Sequence, residues 1–166
     1  MIEWLQDQTS AVALDTRSHP VVISSWHGSP TVELVDRYYR WSDAMTAAAL
    51  AAEQRLVCIA DLRAGGAPSP RVCKRLYEHA RDDIAREVVL VTFAVVKDPS
   101  LRGIIKTMRR SSGSPREPEI VIVERMAAAL EYTLTRLRAE RIPPPEGLDP
   151  VRYGAPLRPR LVTPPS

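Results

Sequence analysis

The stretch VVLVTFAVV, residues 88–96, decides the fold class. Thr92 is its one polar residue, so the segment lacks the alternation of apolar and polar side chains that marks a half-exposed strand. A strand without this alternation is buried on both faces, as in the middle of a parallel sheet that helices cover. The segment is also much shorter than the roughly 20 residues that a membrane-spanning helix needs. We therefore predict an α/β fold around a central strand at 88–96, with no membrane span.

Strand and helix patterns alternate on both sides of this segment. Residues 11–14, 21–26, 56–62 and 120–123 have the strand pattern, whereas 31–54, 70–87, 99–110 and 125–141 have helical periodicity. The polar turn between the first two strands predicts an antiparallel hairpin. The strand–helix–strand units after it predict parallel pairing with right-handed crossovers. The expected order is ββαβαβαβα, which gives one mixed, mostly parallel sheet with an N-terminal hairpin and four helices.

Three of the predicted helices begin with the same pair of residue types. A serine or aspartate that can cap the helix stands directly before a proline that suits the first helical position, at Ser29–Pro30, Ser69–Pro70 and Asp98–Pro99. The local chemistry therefore agrees with the periodicity.

The composition places the chain among soluble globular proteins. It has 166 residues, of which 45% are apolar and 26% charged, and this size suits one domain. The formal charge is +3, from 23 basic and 20 acidic residues. Of the basic residues 20 are arginine and three are lysine, a bias that is typical of GC-rich genomes and does not by itself indicate a nucleic-acid surface. The amino end has acidic residues in place of a basic, apolar leader, so we expect a cytoplasmic protein.

Proline divides the chain. Eight of the 15 prolines fall in residues 142–166, which we interpret as a proline-rich tail after an α/β domain at 11–141 and an N-terminal extension at 1–10. We favour a solvated tail. The alternative is a linear motif that docks on a partner or on the domain itself through Val151, Tyr153, Leu157, Leu161 and Val162.

The carboxyl ends of the parallel strands are the expected binding edge of such a sheet. The side chains that we predict there as partner- or ligand-binding are Asp61, Arg63, Ser69, Lys97, Asp98 and Arg102. Helices that begin near Ser69 and Asp98 would also present free backbone N–H groups to an anion. Capping explains these two side chains as well, and we favour it.

Motifs of catalysis and metal binding do not occur in the sequence. It has no GxSxG elbow, no phosphate-binding P-loop and no dinucleotide fingerprint. Cys58 lies inside a predicted strand, where a thiolate beside His27 or Asp61 would be buried and disfavoured. Cys58 and Cys73 have no close metal-ligand spacing, so we expect reduced, structural thiols. We predict no enzyme, no catalytic residues, no metal and no cofactor.

Four segments resemble a known family. LDTRSHPVVIS, CIADLRAGGAPSPRVCKRL, FAVVKDPSLRGIIKTM and IVIVERMAAALEYTLTRL are similar to small bacterial proteins with a STAS-like fold, the superfamily of anti-sigma-factor antagonists. The resemblance covers residues 11–141. It implies a non-enzymatic regulatory or scaffolding module that binds partner proteins through the second helix and neighbouring loops.

The regulatory motif of that family is altered here. In the antagonists the second helix opens with Asp, Ser, Ser or Thr, and Gly, and a partner kinase phosphorylates the hydroxyl. Residues 63–69 read RAGGAPS, which leaves Ser69 alone, directly before Pro70. We therefore expect a module without the phosphorylation switch. Because STAS-like and CRAL-TRIO lipid-transfer proteins resemble each other in fold, the alternative is a nucleotide- or lipid-binding domain with its ligand near Asp61, Ser69 and Lys97.

The partner predictions rest on aromatic and basic residues. The adjacent Tyr38 and Tyr39 cannot both face a helix-packed core, so we expect one to lie at a contact surface and predict a protein partner or a homo-oligomer. A basic strip follows the third helix, at Arg102, Lys106, Arg109, Arg110 and Arg116. No aromatic residues interleave with it, so we expect no nucleic-acid partner.

Overall fold

One mixed sheet organises the part of the chain that the structure describes. The structure is a computed structural model and describes residues 1–79, 87–112 and 119–158, the side chains of 108–112 excepted. Its strands are β1 (Ile2–Gln6), β2 (Ala11–Asp15), β3 (Val21–Gly28), β4 (Leu56–Gly65), β5 (Val89–Val95) and β6 (Glu119–Val123). Its helices are α1 (Val32–Ala51), α2 (Pro70–His79), α3 (Pro99–Ser112) and α4 (Met126–Ala139).

The six strands lie side by side in chain order. β1, β2 and β3 pair antiparallel, whereas β3, β4, β5 and β6 pair parallel. The predicted α/β class, the hairpin and the mostly parallel sheet are therefore confirmed. β5 is buried at every residue except the half-buried Thr92, as its continuous apolar sequence predicts.

Helices cover both faces of the sheet. On one face, which we call the α1 face, Leu34 of α1 and Val72 of α2 pack against Leu14 and Trp26 of the sheet. On the other face, which we call the α4 face, Leu130 and Leu137 of α4 belong to a cluster that also contains strand residues Val21, Ile23, Val57, Ile59, Val91 and Phe93. Right-handed crossovers between neighbouring parallel strands put α1 and α2 on the same face, which leaves the opposite face for α4.

β1 is a strand that the sequence does not predict. Residues 1–10 are expected to be an extension, yet Ile2–Gln6 pairs with β2 along its whole length. Leu5 is buried beneath α1, whereas Ile2 is exposed. The segment is too short and too polar to indicate a strand by itself, and it becomes one because β2 offers it a free edge.

The N-cap predicted for the first helix is wrong. Thr31, not Ser29, is the N-cap of α1, and its hydroxyl oxygen accepts a hydrogen bond from the backbone N–H of Leu34. The same hydroxyl donates to Asp7 at 2.6 Å. Burial acts to raise the pKa of Asp7, but hydrogen bonds from Thr31, Ser10 and Thr9 outweigh it and hold the pKa at about 2. This carboxylate therefore joins the β1–β2 turn to the start of α1.

The two adjacent tyrosines of α1 are both packed. Tyr38 contacts Trp26 with ring centroids 4.9 Å apart, and Tyr39 stacks on His79 of α2 at 3.5 Å. Both rings are partly buried by these contacts, and a contact surface at either tyrosine stays a prediction. No helix of the described residues is long and apolar enough to cross a membrane.

Candidate functional site

Ser69 and Asp98 cap the second and third helices. The backbone N–H of Val72 donates to Ser69 Oγ at 3.3 Å. The N–H groups of Ser100 and Leu101 donate to Asp98 Oδ1 at 2.7 Å and 3.0 Å. Both side chains thus have the structural role that the sequence favours, and ligand contact by either remains a prediction.

The buried Asp61 forms an ion pair with the exposed Arg63 on β4. The Asp61 side chain is only 6% exposed, and Arg63 donates to its two carboxylate oxygens at 2.8 Å each. The hydrogen bond to Asp61 raises the pKa of Arg63. The Arg63 guanidinium is therefore held by an aspartate of the same strand, two residues earlier in the chain.

Lys97 and Arg102 lie in a different group, at the ends of β5 and β6. Arg102 donates to the Val96 carbonyl at 3.3 Å and to Glu124 at 2.8 Å. The hydrogen bond from Arg102 lowers the pKa of Glu124, and Lys97 adds to this effect. Of the six predicted residues, two are thus helix caps, three take part in two separate ion pairs, and Lys97 lies near the second of these pairs. Of the basic strip, Arg116 lies outside the described residues, as do the side chains of Arg109 and Arg110.

A second ion pair repeats the first at the end of β2. Arg17 donates from Nε and Nη2 to the two oxygens of Asp15, at 3.0 Å and 2.7 Å. Asp15 is 3% exposed. Burial acts to raise the pKa of Asp15, but the hydrogen bonds and charge of Arg17 outweigh it and hold the pKa below the ordinary value. The spacing Asp-x-Arg at 15–17 and 61–63 is the signal in the sequence, and the predictions made from the sequence did not use it at either place.

The C-terminal segment, residues 142–158, crosses the α4 face. Leu148 is buried in the core cluster of that face, with Tyr153 packed against it. The Tyr153 hydroxyl donates to Asp15 Oδ2 at 3.4 Å, and burial raises the pKa of Tyr153. Electrostatic interactions couple Tyr153 to both ion pairs, at Arg17 and at Arg63.

The favoured solvated tail is therefore wrong for residues up to 158. The prediction failed because a proline-rich segment can be held in place without pairing to a strand. Here single apolar side chains, above all Leu148, reach the core. Of the five docking residues in the alternative interpretation, Tyr153 docks, Val151 and Leu157 are 91% exposed, and Leu161 and Val162 lie outside the described residues.

His27, at the end of β3, lies under the same segment. Its ring hydrogen-bonds to the Pro156 carbonyl and lies 5.6 Å from the Trp4 ring between centroids. Burial lowers the pKa of His27, and the nearby Arg158 lowers it further. The sequence does not predict this contact, because residue 158 is too distant in the chain from His27 for spacing to indicate it.

The two cysteines are free thiols. Cys58 aligns with Val22 of β3 and therefore points to the α1 face, opposite His27 and Asp61. Burial raises the pKa of Cys58 to about 12, so its thiol is protonated. Among residues 1–79, 87–112 and 119–158, no group of three or more His, Cys, Asp or Glu side chains is placed to hold a metal ion.

Comparisons with known proteins identify no relative. No family model, no curated protein and no solved structure matches the chain. The resemblance to STAS-like proteins therefore stays a prediction, and the function has to be argued from the α4 face and its C-terminal segment.

Proposed function

We propose that the protein is a non-enzymatic regulatory or scaffolding module that binds a protein partner through a STAS-like domain. One observation carries the proposal: the α4 face seats an irregular segment of its own chain. Residues 142–158 contain turns but neither helix nor strand, yet Leu148 enters the core and the Tyr153 hydroxyl hydrogen-bonds to Asp15. A face that recognises an irregular segment of its own chain has the apolar contacts and hydrogen-bonding groups to recognise one from a partner.

The α4 face suits exchange between two occupants. Tyr153 contributes an aromatic ring and a hydroxyl, the combination that is enriched at protein interfaces. Its hydrogen bond to Asp15 is long, at 3.4 Å, and the exposed Val151 and Leu157 flank it. The C-terminal segment therefore competes with the partner for the same face.

A capture experiment on the full chain tests the proposal. Tyr153→Ala removes the ring that holds the segment, and Val151→Ala removes an exposed side chain two residues away as the matched control. We expect the immobilised Tyr153→Ala protein to retain one stoichiometric partner from host extract in larger amount than wild type, with Val151→Ala unchanged. A synthetic peptide of residues 142–158 should displace that partner.

Two results would contradict the proposal. One is the absence of any stoichiometric partner on all three proteins, and the other is equal capture that the peptide does not reduce. Tyr153→Phe keeps the ring and removes only the hydroxyl. It is the variant to use if Tyr153→Ala fails to fold.

The module works without a phosphorylation switch in this proposal. Ser69 is exposed, but its hydroxyl already caps α2, and no acidic residue precedes it in the manner of the antagonist motif. Incubation of the protein with host lysate and ATP, followed by mass spectrometry, should find no stoichiometric phosphate on Ser69. Stoichiometric phosphate there that changes partner binding would refute the absence of a switch.

A further inference from the structure

Buried polar atoms without partners collect at the end of β3. Ser25 Oγ, His27 Nε2 and both Nε and Nη2 of Arg158 are shielded from solvent and have no hydrogen-bond partner within the described part of the chain. Ser25 is 2% exposed. Native proteins pair nearly all such groups, so a cluster of unpaired ones indicates a ligand that the protein chain does not supply.

These groups are neighbours on the α4 face. Ser25 and His27 are two residues apart on β3, opposite Ala13 and Ala11 of β2, so both side chains point to the same side of the sheet. The C-terminal segment brings Arg158 to His27, since the two interact electrostatically while Pro156 accepts a hydrogen bond from the His27 ring.

The charge at this position is positive and uncompensated. The neighbouring Asp61 lies beside Ser25 in the parallel pairing, but Arg63 already occupies both of its carboxylate oxygens. Arg17 is likewise bound to Asp15. Arg158 makes no such ion pair among the described residues, so its guanidinium has donors and charge to offer an anion.

We propose that Ser25, His27 and Arg158 form a binding site for a small oxyanion, a phosphate or a carboxylate, beneath the C-terminal segment. A guanidinium binds two oxygens of such an anion at once. The Ser25 hydroxyl donates to a further oxygen, and His27 donates from Nε2 when it is protonated. This site adds a small ligand to the α4 face, and it is complete only while the C-terminal segment that carries Arg158 occupies that face.

The site should respond to pH through His27. The groups around its ring are Arg158 and the Pro156 carbonyl from the segment, Asp61 from β4 and Trp4 from β1. Burial and Arg158 lower the pKa of His27, whereas Asp61 raises it. An anion between His27 and Arg158 cancels the effect of the guanidinium, so ligand binding should raise the pKa of His27 and tighten as the pH falls.

Nuclear magnetic resonance titration of His27 in the full chain tests this site. Inorganic phosphate, glycerol 3-phosphate and acetate are the probes, and chloride at matched ionic strength is the control. We expect a saturable shift of the His27 resonances and a higher titration midpoint with phosphate or acetate, and neither with chloride. Binding of both phosphate compounds identifies a phosphate monoester as the ligand class, and binding of acetate alone identifies a carboxylate.

Variants separate a built site from general attraction to a basic protein. Arg158→Gln should weaken binding at least tenfold and Ser25→Ala several-fold. Arg152→Gln, on an arginine of the same segment that is 88% exposed, should leave binding unchanged. The proposal is overturned if no probe gives a saturable shift in the wild-type chain, or if Arg158→Gln binds as well as Arg152→Gln does.

Discussion

Asp7 shows at the scale of one residue how a short turn fixes the start of a long helix. Its carboxylate accepts from the backbone N–H groups of Thr9 and Ser10, at 2.8 Å and 2.7 Å, and from the Thr31 hydroxyl. Thr31 uses its oxygen for the N-cap of α1 at the same time. The ionised form of Asp7 is thus the one that the folded chain binds.

Asp7 should make part of the stability dependent on pH. Its pKa is about 2 in the folded protein against an ordinary value of 3.8, so its contribution is complete above about pH 4 and is lost as the pH falls towards 2. Asp7→Asn should lower the free energy of unfolding at neutral pH by about 1 kcal/mol. The same change should flatten the loss of stability between these two pH values.

Urea unfolding at a series of acidic pH values measures both effects. Glu3→Gln, on an exposed strand residue, is the control and should keep the wild-type slope. An unchanged slope in Asp7→Asn would show that other carboxylates account for the acid sensitivity.

The two Asp-x-Arg pairs share one short spacing, within β4 for Asp61 and Arg63 and just past the end of β2 for Asp15 and Arg17. Residues i and i+2 lie on the same side of a strand, so an arginine two positions after a buried aspartate can fold back on it. Asp15 with Arg17 and Asp61 with Arg63 both use this spacing. The pairing is readable from sequence, but the burial that makes it important is not.

At the scale of the element, the helix caps differ in strength. Asp98 accepts two short backbone hydrogen bonds, whereas Ser69 accepts one at 3.3 Å. Asp98→Ala should therefore lower the free energy of unfolding by about 1 kcal/mol, and Ser69→Ala by about half of that. Chemical denaturation of both variants checks the order, with the exposed Ser100→Ala as control. A larger loss in Ser69→Ala would contradict the structure.

Periodicity correctly predicts the elements whose own residues have enough apolar surface to pack into the core. β5 and α4 are of this kind, and their predicted and observed bounds differ by one or two residues. β1 is not, because its pairing depends on the free edge of β2. The start of α1 was also misplaced, since Ser29 and Thr31 are both good capping residues and the contact of Thr31 with Asp7 decides between them.

At the scale of the whole molecule, the C-terminal segment is part of the folded domain. Leu148 is 8% exposed within the core cluster, whereas Leu157 of the same segment is 91% exposed. Leu148→Ala should lower the free energy of unfolding by about 2 to 3 kcal/mol, and Leu157→Ala by less than about 0.5 kcal/mol.

Denaturant unfolding compares these two leucine variants directly. Limited proteolysis adds a local measure, because Leu148→Ala should speed cleavage after residue 141 and Leu157→Ala should not. Equal stability of the two variants would mean that the segment is solvated, as its composition alone indicates.

The candidate site lies beyond what the chain order reveals. Ser25 and His27 come from β3, Asp61 and Arg63 from β4, and Arg158 from the far end of the described chain. Their sequence separation gives no motif, and only the fold of the C-terminal segment brings them to one face. Of the residues predicted at the carboxyl edge, Ser69 and Asp98 cap helices, whereas Asp61, Arg63 and Arg102 form ion pairs, and ligand binding by them stays a prediction.

The sequence by itself determined the α/β class, the hairpin, the parallel pairing of the later strands and the caps at Ser69 and Asp98. These features depend on hydrophobic period and local hydrogen bonding, which act over a few residues. Tertiary structure alone decided that Ile2–Gln6 is a strand, that residues 142–158 cover the α4 face, and that His27 meets Arg158. The reason is physical: each of these contacts gains its free energy from a partner that is distant in the chain, so no local pattern encodes it.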